Sequence, residues 1–210
     1  MTATPDLSRY RRPLIFGGSF DPPHVAHVTL PAAAAEAINA DVVAYVPAAR
    51  PPHKLDLKQT DATHRIEMLR LALADRPDTV VLTDEIDRAA DGRPSYTVET
   101  LEALQPRFAD GAVMRLLIGT DQVAIFDSWH RGDRIVELAE PVVMMRPPAQ
   151  RGSLPGVWRG RVVEVPETDV SSTEVRRRLA AGEPTDGLLH PEVAAYIAEH
   201  GLYRAPAAGR

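Results

Sequence analysis

The stretch GGSFDPPHVAH, residues 17–27, joins a short apolar run at 12–17 to an alanine-rich run at 25–39. The apolar run stops at glycines, which is typical of a buried strand, and the alanine-rich run favours a helix. Two adjacent glycines let a backbone approach a ligand closely or adopt positive φ. The helix start offers unpaired N–H groups and the positive end of a dipole. The stretch therefore predicts a phosphate-binding turn between a strand and a helix.

His24 and His27 are three residues apart at the start of this helix. Side chains with that spacing share one helix face, so both imidazoles are expected to face the phosphate region. The same spacing also fits two surface residues or a pair of zinc ligands. A zinc site needs a third ligand, and the chain has no cysteine to support one. Since a Gly-Gly pair alone usually marks only a turn, the functional signal lies in the whole stretch.

Strand-like and helix-like runs alternate along the rest of the chain. Further strands are expected at residues 41–47, 79–83, 114–118, 142–145 and 161–165. Further helices are expected at residues 63–75, 96–108, 134–139, 172–181 and 191–200. This alternation predicts an α/β, Rossmann-like three-layer fold, a mostly parallel sheet with helices on both faces. Residues 13–203 are expected to form one domain, with a flexible N-terminus at 1–12 and a flexible tail at 204–210.

Composition excludes several classes of protein. The 210 residues are 44% hydrophobic and 25% charged, which suits one globular domain. A formal net charge of −5 gives no overall basic field for nucleic acid. The lack of cysteine excludes a thiol nucleophile and a disulfide framework. No apolar run suits a membrane span or a signal peptide, so a cytoplasmic protein is expected.

Taken whole, the stretch at 17–27 resembles the GG(T/S)FDPxHxGH signature of the nucleotidylyltransferase superfamily. Five later segments have an order and spacing similar to those of bacterial nicotinate-nucleotide adenylyltransferases: RPPHK at 50–54, GRPSYTVETL at 92–101, IGTDQVAIFDSWHR at 118–131, VSSTEVRRRL at 170–179 and HPEVAAYIAEHGLY at 190–203. The resemblance covers residues 13–203.

Two residues of the first helix are unusual. Ala26 replaces a glycine of the signature, so a methyl group is expected where the helix approaches the nucleotide. Pro31 is expected near the first helical turn, where its missing N–H costs little.

The resemblance implies transfer of AMP from ATP to nicotinate mononucleotide, giving nicotinate adenine dinucleotide and pyrophosphate in NAD biosynthesis. The mononucleotide's 5′-phosphate is already a nucleophile at neutral pH, so catalysis would rest on positioning and charge stabilisation. Mg²⁺ is expected with the ATP, held mostly by phosphates and water rather than by protein ligands. ATP and nicotinate mononucleotide are the expected partners, without nucleic acid or membrane, and a homo-oligomer is left open.

The resemblance also assigns roles to individual residues. The implied catalytic residues are His24, His27, Lys54 and Arg176. The implied ATP-binding residues are Gly17, Gly18, Ser19, Phe20, His24, His27, Gly119, Asp121, Ser171, Ser172, Thr173 and Arg176. The implied mononucleotide-binding residues are Ser19, Lys54, Tyr96, Thr97 and Trp129. In this scheme Trp129 stacks on the pyridine ring, and Thr97 with nearby backbone N–H groups receives the carboxylate.

Several of these residues also suit purely structural positions. The hydroxyls of Ser171, Ser172 and Thr173 suit plain helix N-caps. Lys54 suits an exposed loop, and Trp129 suits a partly buried core position. Arg177 and Arg178 favour a solvated helix face. An acidic run after the third strand is expected to be a solvated loop rather than a metal site: Asp84, Glu85, Asp87 and Asp91.

Further functions are compatible with the sequence. The same fold could serve nicotinamide mononucleotide or phosphopantetheine as acceptor, or use CTP. The segment at 95–97 and Trp129 favour a pyridine nucleotide. A non-catalytic nucleotide-binding regulator is a further alternative, and Ala26 is the feature that favours it.

Overall fold

The computed structural model describes residues 4–49, 59–88, 95–145, 154–159, 161–166 and 168–204. Within these ranges the strands are β1 (Pro13–Gly18), β2 (Val42–Pro47), β3 (Thr79–Val81), β4 (Arg115–Gly119), β5 (Glu140–Met144) and β6 (Val162–Val163). They form one sheet in the order β3-β2-β1-β4-β5-β6, and each pair of neighbours is parallel. The α/β prediction is confirmed. The order reverses between β1 and β4, where such sheets open a ligand crevice.

The α-helices of the described ranges are α1 (Val25–Ala37), α2 (Ala62–Ala72), α3 (Asp84–Arg88), α4 (Thr97–Leu104), α5 (Thr120–Val123), α6 (Gly132–Leu138), α7 (Gly156–Arg159), α8 (Ser172–Ala181) and α9 (Pro191–Glu199). None of them is long and apolar enough to cross a membrane. The helix predicted at 96–108 is shorter in the structure. The α-helix α4 ends at Leu104, and a 3₁₀ turn follows at Gln105–Arg107, because Pro106 lacks the N–H that an α-helix needs.

Apolar side chains cover both faces of the sheet, because successive residues of a strand point to opposite sides. On β1, Leu14 and Phe16 pack in one cluster with α1, whereas Ile15 packs in a second cluster with α4 and α6. A third cluster joins α2 to α8 and α9 through Met68 and Val193, among others. The two C-terminal helices are therefore attached to the domain on the side of α2.

The chain before β1 packs more tightly than expected. Leu7 and Tyr10 are only 1% and 8% exposed and belong to the cluster that contains Ile15. The N–H groups of Ala109 and Val113 donate to the carbonyls of Tyr10 and Arg11. Because these residues bury apolar area, the packed part of the chain begins by Leu7 rather than after residue 12.

The acidic run was expected to be a solvated loop. That prediction is wrong for residues 84–88, which form the helix α3. Glu85 is buried there and accepts a hydrogen bond from the Thr100 hydroxyl at 2.9 Å. Arg88 in turn donates to the Thr100 hydroxyl at 2.7 Å. Desolvation by burial raises the pKa of Glu85, and the Thr100 hydrogen bond and Arg88 only partly oppose it.

Replacing Glu85 with glutamine should stabilise the fold more at high pH than at low pH. A raised folded-state pKa means that the native state binds the proton more tightly than the unfolded state does. Ionisation therefore costs stability as the pH rises through the unfolded and then the folded pKa. Glutamine keeps the shape without the charge. Urea unfolding at about pH 8 and about pH 4 would measure the free-energy difference between variant and wild type. A difference that does not grow with pH would contradict this expectation.

Candidate active site

The turn between β1 and α1 lies at the carboxyl edge of the sheet, as expected for a ligand site. Gly17 and Gly18 do not have positive φ. A Cβ on Gly18 would lie 3.0 Å from the Phe20 ring, so close packing by Phe20 favours glycine there. The Phe20 side chain is buried, and its ring centroid lies 5.1 Å from the ring centroid of His27. Among the residues assigned to ATP, Phe20 thus contributes its ring to the core beneath the turn.

The two histidines lie side by side as the spacing predicted. Their rings stack with centroids 3.7 Å apart, and His24 is 3% exposed. The backbone N–H of His24 donates to Nδ1 of His27 at 3.2 Å. Because Nδ1 accepts this hydrogen bond, Nε2 is the ring nitrogen of His27 that can donate.

Pro31 lies in the second turn of α1, which begins at Val25, so its expected place in the first turn is wrong. A proline cannot donate to the carbonyl four residues earlier, which belongs to His27. The Tyr45 hydroxyl from β2 donates to that carbonyl instead, at 3.0 Å. Burial raises the pKa of Tyr45 and keeps this donor protonated. Tyr45 thereby holds the backbone of His27 in place.

Ala26 differs from its expected position. It is 1% exposed and belongs to the apolar cluster of Leu14 and Phe16. Its methyl group therefore faces the core beneath α1, and the expectation that it meets the nucleotide is wrong. Ala26 was the feature that favoured a non-catalytic regulator, and its packing in the core explains why alanine occupies this position.

The start of α8 docks against the 17–27 stretch, although the two lie about 150 residues apart in the chain. The Ser172 hydroxyl donates to the Pro22 carbonyl at 3.0 Å, and Arg176 donates to the Asp21 carbonyl at 2.5 Å. Arg176 also donates to the Thr173 hydroxyl at 3.3 Å. The structure thus brings two separate groups of ATP-assigned residues together.

Other residues of α8 have ordinary structural roles. The Ser171 hydroxyl accepts the N–H of Glu174 at 3.2 Å, which makes it the N-cap of the helix. Arg177 forms exposed ion pairs with Glu174 and Glu183, each at 2.8 Å. Arg178 pairs with Glu174 as well, at 2.8 Å. These arginines lie on the solvated face, as their pattern indicated.

Gly119 ends β4 and is the N-cap of α5. Because Phe16 of β1 pairs with Leu117 of β4, Gly119 and the 17–27 turn flank the same crevice. Asp121 lies exposed in the first turn of α5, and its carboxylate accepts a hydrogen bond from the Gln122 amide at 2.7 Å. Both residues follow β4 at the edge where the ATP-assigned residues gather.

Three of the residues assigned to the mononucleotide lie at or beside the start of α4: Tyr96, Thr97 and Trp129. Tyr96 is its N-cap, and Thr97 is its first residue. The Tyr96 ring lies 4.6 Å from the His130 ring, centroid to centroid, so the segment containing Trp129 packs beside it. The Trp129 ring lies 5.2 Å from the Phe126 ring, and its buried Nε1 has no hydrogen-bond acceptor among the described residues.

Lys54 lies outside the described residues, so its role stays a prediction. The residue that follows this gap, Gln59, donates from its side-chain amide to the Ser19 hydroxyl at 3.2 Å. Among the described residues, no three side chains of histidine, aspartate or glutamate cluster as a metal site would require.

Known proteins resemble this chain in sequence over most of its length. A family model described as Cytidylyltransferase-like matches residues 15–178. A probable nicotinate-nucleotide adenylyltransferase of Chromobacterium violaceum is 38% identical, over 90% of this chain and 97% of that protein. One of Thermus thermophilus, with the same name, is 39% identical over 90% and 98%. The chain belongs to the nicotinate-nucleotide adenylyltransferase family.

Solved structures show the same fold for this nicotinate-nucleotide adenylyltransferase family. Plasmodium falciparum nicotinic acid mononucleotide adenylyltransferase complexed with NaAD has a TM-score of 0.69 at 19% identity, covering 92% of this chain and 98% of that one. The same protein complexed with APC has a TM-score of 0.68 at 18% identity, with 92% and 98% covered. The resemblance found from the 17–27 stretch and the later segments is confirmed.

Asp21 and Tyr203 were not singled out from the sequence, although they contact each other at the 17–27 stretch. The Asp21 carboxylate accepts hydrogen bonds from the Tyr203 hydroxyl at 2.5 Å and from the N–H of Thr60 at 3.2 Å. Burial and the Asp21 hydrogen bond raise the pKa of Tyr203. The signal for Asp21 was its place in the FDPP turn, whereas no local pattern indicated that Tyr203 would contact it.

Proposed function

We propose that this chain transfers AMP from ATP to nicotinate mononucleotide, forming nicotinate adenine dinucleotide and pyrophosphate in NAD biosynthesis. The observation that carries the proposal is the docking of α8 on the 17–27 stretch, through Arg176 and Ser172. It gathers imidazoles, a guanidinium and a helix start at the crevice where the strand order reverses. Such a set of donors suits a polyphosphate.

The residues act by positioning and by charge. A phosphate oxygen of the mononucleotide forms a bond to the α-phosphorus of ATP, and the bond from that phosphorus to the bridging oxygen breaks. The electron pair leaves with pyrophosphate, and no protein group has to remove a proton. The His27 Nε2–H and the Arg176 guanidinium stabilise the charge that builds on the phosphoryl oxygens.

We propose that Mg²⁺ accompanies ATP. The site offers imidazole, hydroxyl and guanidinium donors for phosphate oxygens, and a magnesium ion that binds with ATP is held mainly by phosphate oxygens and water. Bound in that way, the ion would neutralise polyphosphate charge. The protein's own contribution is to hold the phosphates through α1 and α8.

The acceptor is assigned from the start of α4. Thr97 and the first N–H groups of this eight-residue helix present a positive dipole end, which favours a carboxylate over a neutral amide. The Trp129 ring, supported on one side by Phe126, supplies an aromatic surface for the pyridine.

Because the donor nucleotide is ATP, we also propose that the enzyme works in the cytoplasm.

Incubation of the purified protein with Mg²⁺, ATP and either nicotinate or nicotinamide mononucleotide tests the assignment. Pyrophosphate release and chromatography of the dinucleotide should give a kcat/KM at least about tenfold higher for the nicotinate substrate. Parallel reactions with CTP and with phosphopantetheine test the donor and acceptor classes. Nucleotide binding without turnover of any acceptor would establish a regulator instead and overturn the proposal.

A further inference from the structure

Arg65 is a buried charge outside the predicted site. It lies in the first turns of α2 and is 2% exposed. Moving a guanidinium out of water costs free energy unless hydrogen bonds and an opposite charge compensate. The identity of its acceptors therefore indicates why an arginine occupies this position.

The guanidinium binds three backbone carbonyls from three parts of the chain. Nη1–H groups donate to the Ser19 carbonyl at 2.8 Å and to the Ala48 carbonyl at 2.9 Å. The Nε–H donates to the Thr60 carbonyl at 3.0 Å. Ser19 belongs to the turn after β1, Ala48 directly follows β2, and Thr60 directly precedes the N-cap of α2. The Arg65 guanidinium thus joins the 17–27 turn to both ends of the connection from β2 to α2.

Neighbouring contacts join the same three points. The Gln59 side chain donates to the Ser19 hydroxyl, and the Thr60 N–H donates to the Asp21 carboxylate. Burial lowers the pKa of Arg65, while the negative charge of Asp21 favours its charged form. Arginine remains protonated in such surroundings, so the guanidinium is a permanent fivefold donor.

We propose that Arg65 is a positioning residue, which fixes the backbone of Ser19 against the two ends of the β2–α2 connection and so sets the phosphate-binding turn in its productive geometry. The inference rests on the proposed function, in which the 17–27 turn holds the reacting phosphates. Arg65 touches no reacting atom in this scheme. It acts through the Ser19 carbonyl, and a shift of the turn by about 1 Å is enough to cost about 100-fold in rate.

A stabilising role alone would have a different signature, and three variants separate the two roles. Arg65→Lys keeps the charge but loses the planar fork, Arg65→Met keeps much of the volume without donors, and Leu69→Ala removes a buried side chain from the same helix. Leu69 packs in the apolar cluster of α1 and β1 and touches none of the three carbonyls through a hydrogen bond. It controls for lost stability of α2.

Steady-state kinetics with ATP and nicotinate mononucleotide, well below each variant's Tm, should show a kcat reduced at least about tenfold in Arg65→Lys and about 100-fold in Arg65→Met. Leu69→Ala should lower the Tm but leave kcat and both KM values within about twofold. Wild-type kcat in the folded Arg65 variants, or a loss no larger than that of Leu69→Ala, would overturn the inference. Failure of both Arg65 variants to fold would overturn it too, since the role would then be stability.

The inference can fail separately from the proposed function. A wild-type protein that binds ATP without making dinucleotide would refute the proposed function. The role of Arg65 would then be decided by calorimetric titration with ATP. We expect Arg65→Lys to weaken that affinity at least about tenfold and Leu69→Ala to leave it unchanged. Equal affinities for the wild type and Arg65→Lys would overturn the inference.

Discussion

Replacing His27 with alanine is expected to lower kcat for dinucleotide formation by about 100- to 1,000-fold, because it removes a preorganised donor to the phosphoryl oxygens. The His24 N–H fixes the tautomer of His27, and the Tyr45 hydroxyl holds its backbone carbonyl. The ring is therefore aimed before substrate binds. Because the donor would act mainly on charge that develops during reaction, kcat should fall more than KM rises.

Pyrophosphate release at saturating ATP and nicotinate mononucleotide measures this effect, with circular dichroism to check the fold. Thr29→Ala is the matched control, since Thr29 is exposed on the same helix and donates only within it, to the Val25 carbonyl. That variant should keep kcat within about twofold. A His27→Ala protein with the turnover of the control would show that His27 does not stabilise the reacting phosphates.

Replacing Arg176 with alanine is expected to lower kcat/KM for ATP by about 10- to 100-fold, through both a lower kcat and a higher KM. The residue donates to the Asp21 carbonyl and the Thr173 hydroxyl, so its guanidinium is held at the junction of α8 and the phosphate turn. Its loss removes a positive charge from the ATP-assigned residues. It also loosens the contact between two segments that are distant in the chain.

The adjacent arginine provides the control. Arg177 has the same chemistry one residue further along α8, but its guanidinium pairs with Glu174 and Glu183 at the exposed surface. Exposed pairs of this kind contribute little, so Arg177→Ala should keep kcat/KM within about twofold. Initial rates over a range of ATP concentrations compare the two variants. Equal losses in both would mean that net positive charge on α8, rather than the position of Arg176, affects ATP binding.

Much of the fold was predictable because its signals are local. The alternation of strand and helix patterns predicted the parallel α/β sheet, and the 17–27 stretch predicted the turn that lies at its carboxyl edge. The spacing of His24 and His27 predicted neighbouring rings on α1. Each inference depends on residues a few positions apart, where backbone geometry alone determines which side chains meet.

The errors arose where packing outweighs local pattern. The charges at 84–88 suggested a loop, yet Glu85 is buried in α3 beside Thr100. Pro31 suggested a first-turn position, yet Tyr45 replaces the hydrogen bond that the proline cannot make. Ala26 suggested a contact with nucleotide, yet its methyl group lies in the core. In each case a partner far away in the chain satisfies or buries the group.

The family, the parallel sheet and the turn at 17–27 follow from short motifs, their order and their hydrophobic periodicity. The assembled site depends on hydrogen bonds between distant segments: Arg176 to Asp21, Tyr203 to Asp21, and Arg65 to Ser19, Ala48 and Thr60. Periodicity reveals which face of a helix is buried, but not which carbonyl a buried arginine meets. That choice is made when the helices pack on the sheet, because buried polar groups must then find partners within reach.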